Sequence, residues 1–236
     1  MKYAWLIWSL IALCSWAIIY WRRPEFRLEM LRVSIWTSLL GLTEPLFVPE
    51  YWSPPSLFNL AEKTGFDIES LIFSFSIGGI GAVIYKLFVP VRSVPMAEEE
   101  RVNAKHKLHR LILFIPVGIF IVLAAFTNLN HIYCGVIALF FGGIATLYCR
   151  PDLKIAIWFG GLAFLAIYIV YFGSLLLVYP EYVNMYWNLP ELTGIKIIGI
   201  PLEELLFSFT FGMYWSGLYE HLFWHQLSPI ENTHNA

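Results

Sequence analysis

The sequence predicts an all-α, polytopic membrane protein of seven transmembrane helices, with a parallel internal duplication that repeats helices 1–3 as helices 5–7. Three observations predict it. Of 236 residues, 58% are hydrophobic and 14% charged, and the mean hydropathy is +0.66. A soluble domain is nearer half apolar and a quarter charged, so the excess apolar surface has to face lipid. Seven apolar runs approach the ~20 residues that cross a bilayer. Finally, IESLIFSF at 68–75 returns as LEELLFSF at 202–209, an offset of 134.

The runs lie at roughly 3–20, 33–49, 68–90, 110–128, 131–149, 155–179 and 197–224. Backbone groups in lipid must be satisfied within the segment, so each run is expected to be a helix. A transmembrane barrel would instead show short alternating segments. The first run is followed by Trp21-Arg22-Arg23 without a small-residue cleavage site, and reads as a retained helix, not a signal peptide. The second contains Glu44 before Pro45, and the third carries the repeated octet. A tight turn at Asn128–Asn130 separates the fourth from the fifth.

The charged stretch 91–109 reads as a solvated cytoplasmic loop. The chain accordingly divides into a first unit (1–90), the loop with a linking fourth helix (91–130), a second unit (131–225) and a polar tail (226–236). Segments 21–32, 86–110 and 150–154 hold 12 of the 15 Lys and Arg residues, all on one side of a seven-helix arrangement. Lys2, Lys63 and Lys196 lie on the other side. The positive-inside rule then places the N-terminus outside and the C-terminus in the cytoplasm of a cell-membrane protein.

The repeat extends beyond the octet. Pro49-Glu50-Tyr51-Trp52 and Pro180-Glu181-Tyr182 each lead, through a Trp and a Pro, to Thr64-Gly65 and Thr193-Gly194. Tyr85 and Tyr219 share the octet's offset. Both repeated helices run from outside to inside, which makes the duplication parallel, about an axis along the membrane normal.

Both copies begin with acids. Glu203 and Glu204 follow Pro201, about 10 Å into the last run, and point about 100° apart around the axis. The first copy has Asp67 and Glu69. Acids in membrane helices are costly and face a bundle interior or a water-filled cavity. Burial disfavours the ionised form and the helix N-terminus favours it; burial is expected to prevail, leaving a carboxyl able to act as a general acid. Asp67 reads as a helix cap, Glu44 as a second candidate for the cavity, and Glu50, Glu181 and Glu191 as solvated loop acids. Aromatics, 18% of the chain, read mostly as lipid-facing packing and interfacial anchors, including those at Tyr214, Trp215, Tyr219 and Trp224. A minority lining a cavity could stabilise a carbocation.

Other chemistries find little support. The net charge of −2 argues against a nucleic-acid partner. No GxGxxG follows a strand, so no flavin or nicotinamide cofactor is indicated. The histidine boxes of a membrane di-iron oxygenase are absent, and 197–224 has no lysine for a retinal Schiff base. His221 and His225 are two residues at i, i+4, too few for a metal site, and no metal is expected. Cys14, Cys134 and Cys149 read as packing residues. Glycines 78, 79, 81, 142, 143, 160 and 161 read as close helix contacts.

The stretch Ile200-Pro201-Leu202-Glu203-Glu204-Leu205-Leu206-Phe207 resembles the PxEE motif of the flavin-independent integral-membrane lycopene cyclases: the heterodimeric bacterial type, the fused archaeal type and the cyclase half of fungal bifunctional enzymes. Length, seven helices and duplication resemble the fused forms. The resemblance implies an isomerisation without net redox change. An acid protonates a terminal double bond of a linear carotenoid, a neighbouring double bond captures the cation and closes a six-membered ring of β type, and a base removes a proton. By motif position it implies Glu203 and Glu204 as acid and base, with Glu69 as their first-half counterpart and Asp67 and Glu44 in support. It implies a lipophilic polyene substrate among membrane lipid, and a homo-oligomer or association with other carotenoid enzymes. One departure stands out: the first copy reads Asp67-Ile68-Glu69-Ser70, with Asp in place of Pro and Ser in place of the second Glu. A membrane transporter and a non-catalytic carotenoid-binding or partner subunit are the alternatives.

Overall fold

Apolar runs that must pair their own backbone groups fold as helices. The computed structural model, which describes residues 1–230 apart from the side chain of Lys105, is accordingly mostly helical. Its main helices are α1 (Ala4–Arg22), α2 (Arg27–Ser38), α3 (Ile68–Phe88), α4 (His109–Phe126), α5 (His131–Cys149), α6 (Lys154–Val178) and α7 (Leu202–Trp215), followed by the short α8 (Leu218–Leu222). Among the described residues five helices are long and apolar enough to cross a membrane: α1, α3, α4, α5, and α6 with the turn before it.

The second and seventh runs differ from the continuous helices expected. After Ser38 the second tightens into a 3-10 segment, Leu39–Leu46. Pro45 lies inside that segment, where it lacks the N–H that an α-helix would use. The seventh run opens not as helix at 197 but as a hairpin of β2 (Lys196–Ile197) and β3 (Ile200–Pro201). Its turn places Ile198 at φ 49° and Gly199 at φ 83°. A β-branched residue at positive φ is strained, and the hairpin holds it there directly before the acidic turn. The run ends at Trp215, and α8 resumes beyond Ser216-Gly217. At 14 residues α7 covers about 21 Å, short of a full bilayer core.

The same neighbour pattern occurs twice. α2 and α1 both pack against α3; α6 and α5 both pack against α7. α4 lies against α5. Small residues set both close pairs, as the glycine reading expects. A Cβ at Gly78 would stand 2.4 Å from the Thr37 side chain, and one at Gly212 would stand 2.5 Å from the Gly160 carbonyl oxygen.

Two antiparallel pairings join the halves. In the loops before α3 and α7, Trp52 bridges Trp187, flanked by Ser53 N–H to Tyr186 O at 2.8 Å and Asn188 N–H to Tyr51 O at 2.9 Å. At the opposite end, β1 (Val91–Pro95) pairs with β4 (His225–Pro229). The centre of that register is Ser93 opposite Leu227, two residues one repeat offset apart. Stretch 91–109 is therefore not simply a solvated loop: its first five residues form a strand. The tail set at 226–236 begins inside β4, and its last six residues lie outside the described part.

Lys86, counted with the cytoplasmic loop charges, is instead 2% exposed near the end of α3. It contacts Glu29, Glu220 at 2.5 Å and Ser93 at 3.2 Å. Glu220 stands one repeat offset from Lys86.

Candidate active site

A cavity of about 430 Å³ opens within the bundle, lined almost wholly by apolar and aromatic side chains, with α1 through α7 all contributing. Its polar lining includes Glu44 and Glu204. Leu40, Leu46 and Val117 line it while remaining exposed at 44%, 41% and 54%. Its mouth therefore lies on the apolar flank, between the 3-10 segment and α4.

The first turn of α7 turns its two neighbouring acids to different places. Glu204 faces the cavity. Its carboxylate accepts hydrogen bonds from Tyr51 Oη at 2.5 Å, Trp187 Nε1 at 3.1 Å and Tyr168 Oη. Glu203, 1% exposed, is not on the cavity wall. Its Oε1 accepts from Thr193 N–H at 2.9 Å, Thr193 Oγ1 at 2.7 Å and Tyr133 Oη at 2.7 Å. Neither acid caps α7 through its side chain.

The first half repeats this division. Glu69, one offset from Glu203, accepts from the Leu57 N–H at 2.7 Å and is likewise absent from the cavity wall. Both residues thus anchor the loop that precedes their helix. Asp67 caps α3 by accepting from Ser70 N–H, as expected of it. Ser70, at the position of Glu204, lines the cavity. Glu44 lines the same wall, 8% exposed, and its Oε1 has no hydrogen-bond partner. The five acids singled out from sequence therefore separate: Glu44 and Glu204 meet at the cavity, while Glu69, Asp67 and Glu203 tie loops and helix starts.

Aromatic side chains expected mostly at lipid instead form much of this wall. Trp215 stacks on Phe211 with ring centroids 4.2 Å apart, and both line the cavity with Tyr214. The Trp215 indole N–H is held by Thr37 Oγ1 at 2.8 Å. Tyr168 was not marked by any motif, and Trp187 was signalled only as the Trp of the second repeated segment. Tyr51 was signalled only as part of the repeated Pro-Glu-Tyr.

No curated protein and no solved structure matches the chain. One family model does, that described as lycopene cyclase, over residues 130–222, which take in α5, α6, α7 and both acids of the motif. Over that segment, less than half of the chain, the sequence is similar to the lycopene cyclase family.

Proposed function

We propose that the protein is a lycopene cyclase-like isomerase that closes a ring at the end of a linear carotenoid through acid–base chemistry inside the membrane. The observation that carries this reading is a single motif carboxyl, Glu204, set in the wall of an aromatic cavity with an apolar mouth. A proton added to the terminal double bond leaves a tertiary cation. The neighbouring double bond supplies the electron pair for the new ring bond, and loss of a ring proton restores a double bond. Atoms and oxidation state are unchanged. Phe211, Trp215 and the tyrosines offer ring faces to the cation where water is excluded.

Hydrogen-bond geometry divides the roles. Every partner of Glu204 donates to it, the arrangement of a group that receives a proton. Glu44 keeps an oxygen without a partner and supplies one. The proposal therefore shifts the pair from Glu203 and Glu204 to Glu44 and Glu204, with Glu203 and Glu69 as anchoring residues. The β-type product follows from the family resemblance.

The repeated neighbour pattern and the self-matching register of β1 with β4 support a parallel duplication. On that reading, seven segments cross a cell membrane, two of them broken, with the N-terminus outside and the C-terminus in the cytoplasm. The breaks at Leu39 and Ser216 also favour a second reading, a proton-coupled carrier using the same acids.

Expression in a lycopene-accumulating bacterium, with chromatography of the pigments, separates them. Cyclic carotenoid from the wild type, lost in membrane-inserted Glu204→Gln and Glu44→Gln, is the expected result. Unchanged lycopene beside abundant inserted wild-type protein would overturn the cyclase reading in that host.

A further inference from the structure

At the end of the bundle away from Glu204, three residues from separate segments converge. Cys149 closes α5, His109 opens α4, and His106 lies in the turn before it. All three are buried, at 0%, 3% and 5% exposure. Cys149 Sγ stands 3.4 Å from His106 Nδ1 and 3.5 Å from His109 Nδ1, and the three ligand atoms lie within 4.8 Å of one another. We propose that His106, His109 and Cys149, completed by His221, bind one transition-metal ion of the zinc class.

The distances carry the argument. Around a tetrahedral ion with metal–sulfur bonds of about 2.3 Å and metal–nitrogen bonds of about 2.05 Å, the sulfur–nitrogen edge is about 3.5 Å. Both such edges are already in place. The remaining edge, between the histidines, is at most 4.8 Å.

His221 lies outside that 4.8 Å group but beside it, and is the candidate fourth donor. It is 1% exposed on α8, its ring centroid is 4.2 Å from that of His109, and neither of its ring nitrogens has a hydrogen-bond partner. A neutral imidazole carries one donor and one acceptor, and burying both unmet is costly. Ligation satisfies one of them. Trp224 stacks on His109 at 3.7 Å and closes that side.

The donor set indicates the ion, since a thiolate with imidazoles suits zinc rather than magnesium or calcium. Arg150 beside it is held by both oxygens of Asp152, at 2.9 and 2.6 Å, and donates to the Glu220 carbonyl within α8 and the His225 carbonyl beyond it. A nucleophilic role for Cys149 fits less well: it is fully buried and lines neither the main cavity nor the cleft beside His109. The ion ties α4, α5 and α8 together where sequence spacing shows nothing, because the ligands come from four segments.

The test uses the full chain in detergent, without a polyhistidine tag, purified from zinc-supplemented medium. Elemental analysis should find one zinc per chain, and cobalt(II) substitution should give a tetrahedral spectrum with a thiolate charge-transfer band. Cys149→Ser should lose that band and the bound zinc, whereas Cys134→Ser keeps both. Folded wild-type protein with no stoichiometric zinc or cobalt would overturn the site. So would a cobalt spectrum without the thiolate band, or a Cys149→Ser, His109→Ala variant that retains its metal. The wild-type measurements decide even where a variant fails to fold.

Discussion

At the scale of single residues, the two acids of the motif differ by about 100° of rotation, and that angle separates their surroundings. Glu204→Gln should abolish cyclic carotenoid while leaving the amount of inserted protein unchanged, measured by pigment chromatography against immunoblot. Glu203→Gln should act on the fold instead: it weakens three hydrogen bonds that hold Thr193 and Tyr133, so its signature is a lower melting temperature in detergent. Tyr168→Phe removes one donor to a carboxylate. Such bonds contribute about 1.5–3 kcal/mol, so ring formation should fall roughly 10- to 150-fold in a single-turnover assay. The sequence made the acids legible through cost: carboxyls in an apolar run need a reason. It left open which of two adjacent acids meets the cavity, because both lie on the first turn and the turn's rotation is set by packing. Tyr168 was hidden for the opposite reason, since a tyrosine in a run rich in aromatics carries no distinguishing pattern.

At the scale of elements, the runs were legible because length and hydropathy alone define them, and α1, α3, α4, α5 and α6 lie where expected. The breaks were only partly legible. Pro45 announces the 3-10 segment through its missing donor, whereas the hairpin at 196–201 depends on pairing that hydropathy does not register. Close helix approach makes a sharp prediction at α7. In Gly212→Ala the new methyl would meet backbone, the Gly160 carbonyl, which cannot rotate away. The variant should lose about 1–3 kcal/mol, read from thermal or denaturant unfolding in detergent.

At the scale of the whole molecule, the Lys86–Glu220 and Ser93–Leu227 pairs both span the offset of 134. It was legible in the octet, but its most consequential pair was not: composition placed Lys86 among loop charges, and only folding brings it to Glu220. Lys86→Met would leave Glu29 and Glu220 buried without their cation, a loss of about 3–5 kcal/mol, with α3 and α8 loosening together in hydrogen exchange. Because the β1–β4 and Trp52–Trp187 pairings cross between halves, co-expressed fragments 1–100 and 101–236 should copurify and make pigment. Fragments that separate in mild detergent would count against that self-pairing.

The serine at position 70 has a kinetic corollary. A carotenoid has two equivalent ends, but the two halves of this protein are not equivalent where they meet the cavity. On the proposed cyclase reading, a polyene cyclised at both ends would let go, turn end for end and dock again before its other terminus reacts. Monocyclic product should build up ahead of bicyclic product in a time course, and dilution should trap it, as expected of a distributive rather than a processive catalyst.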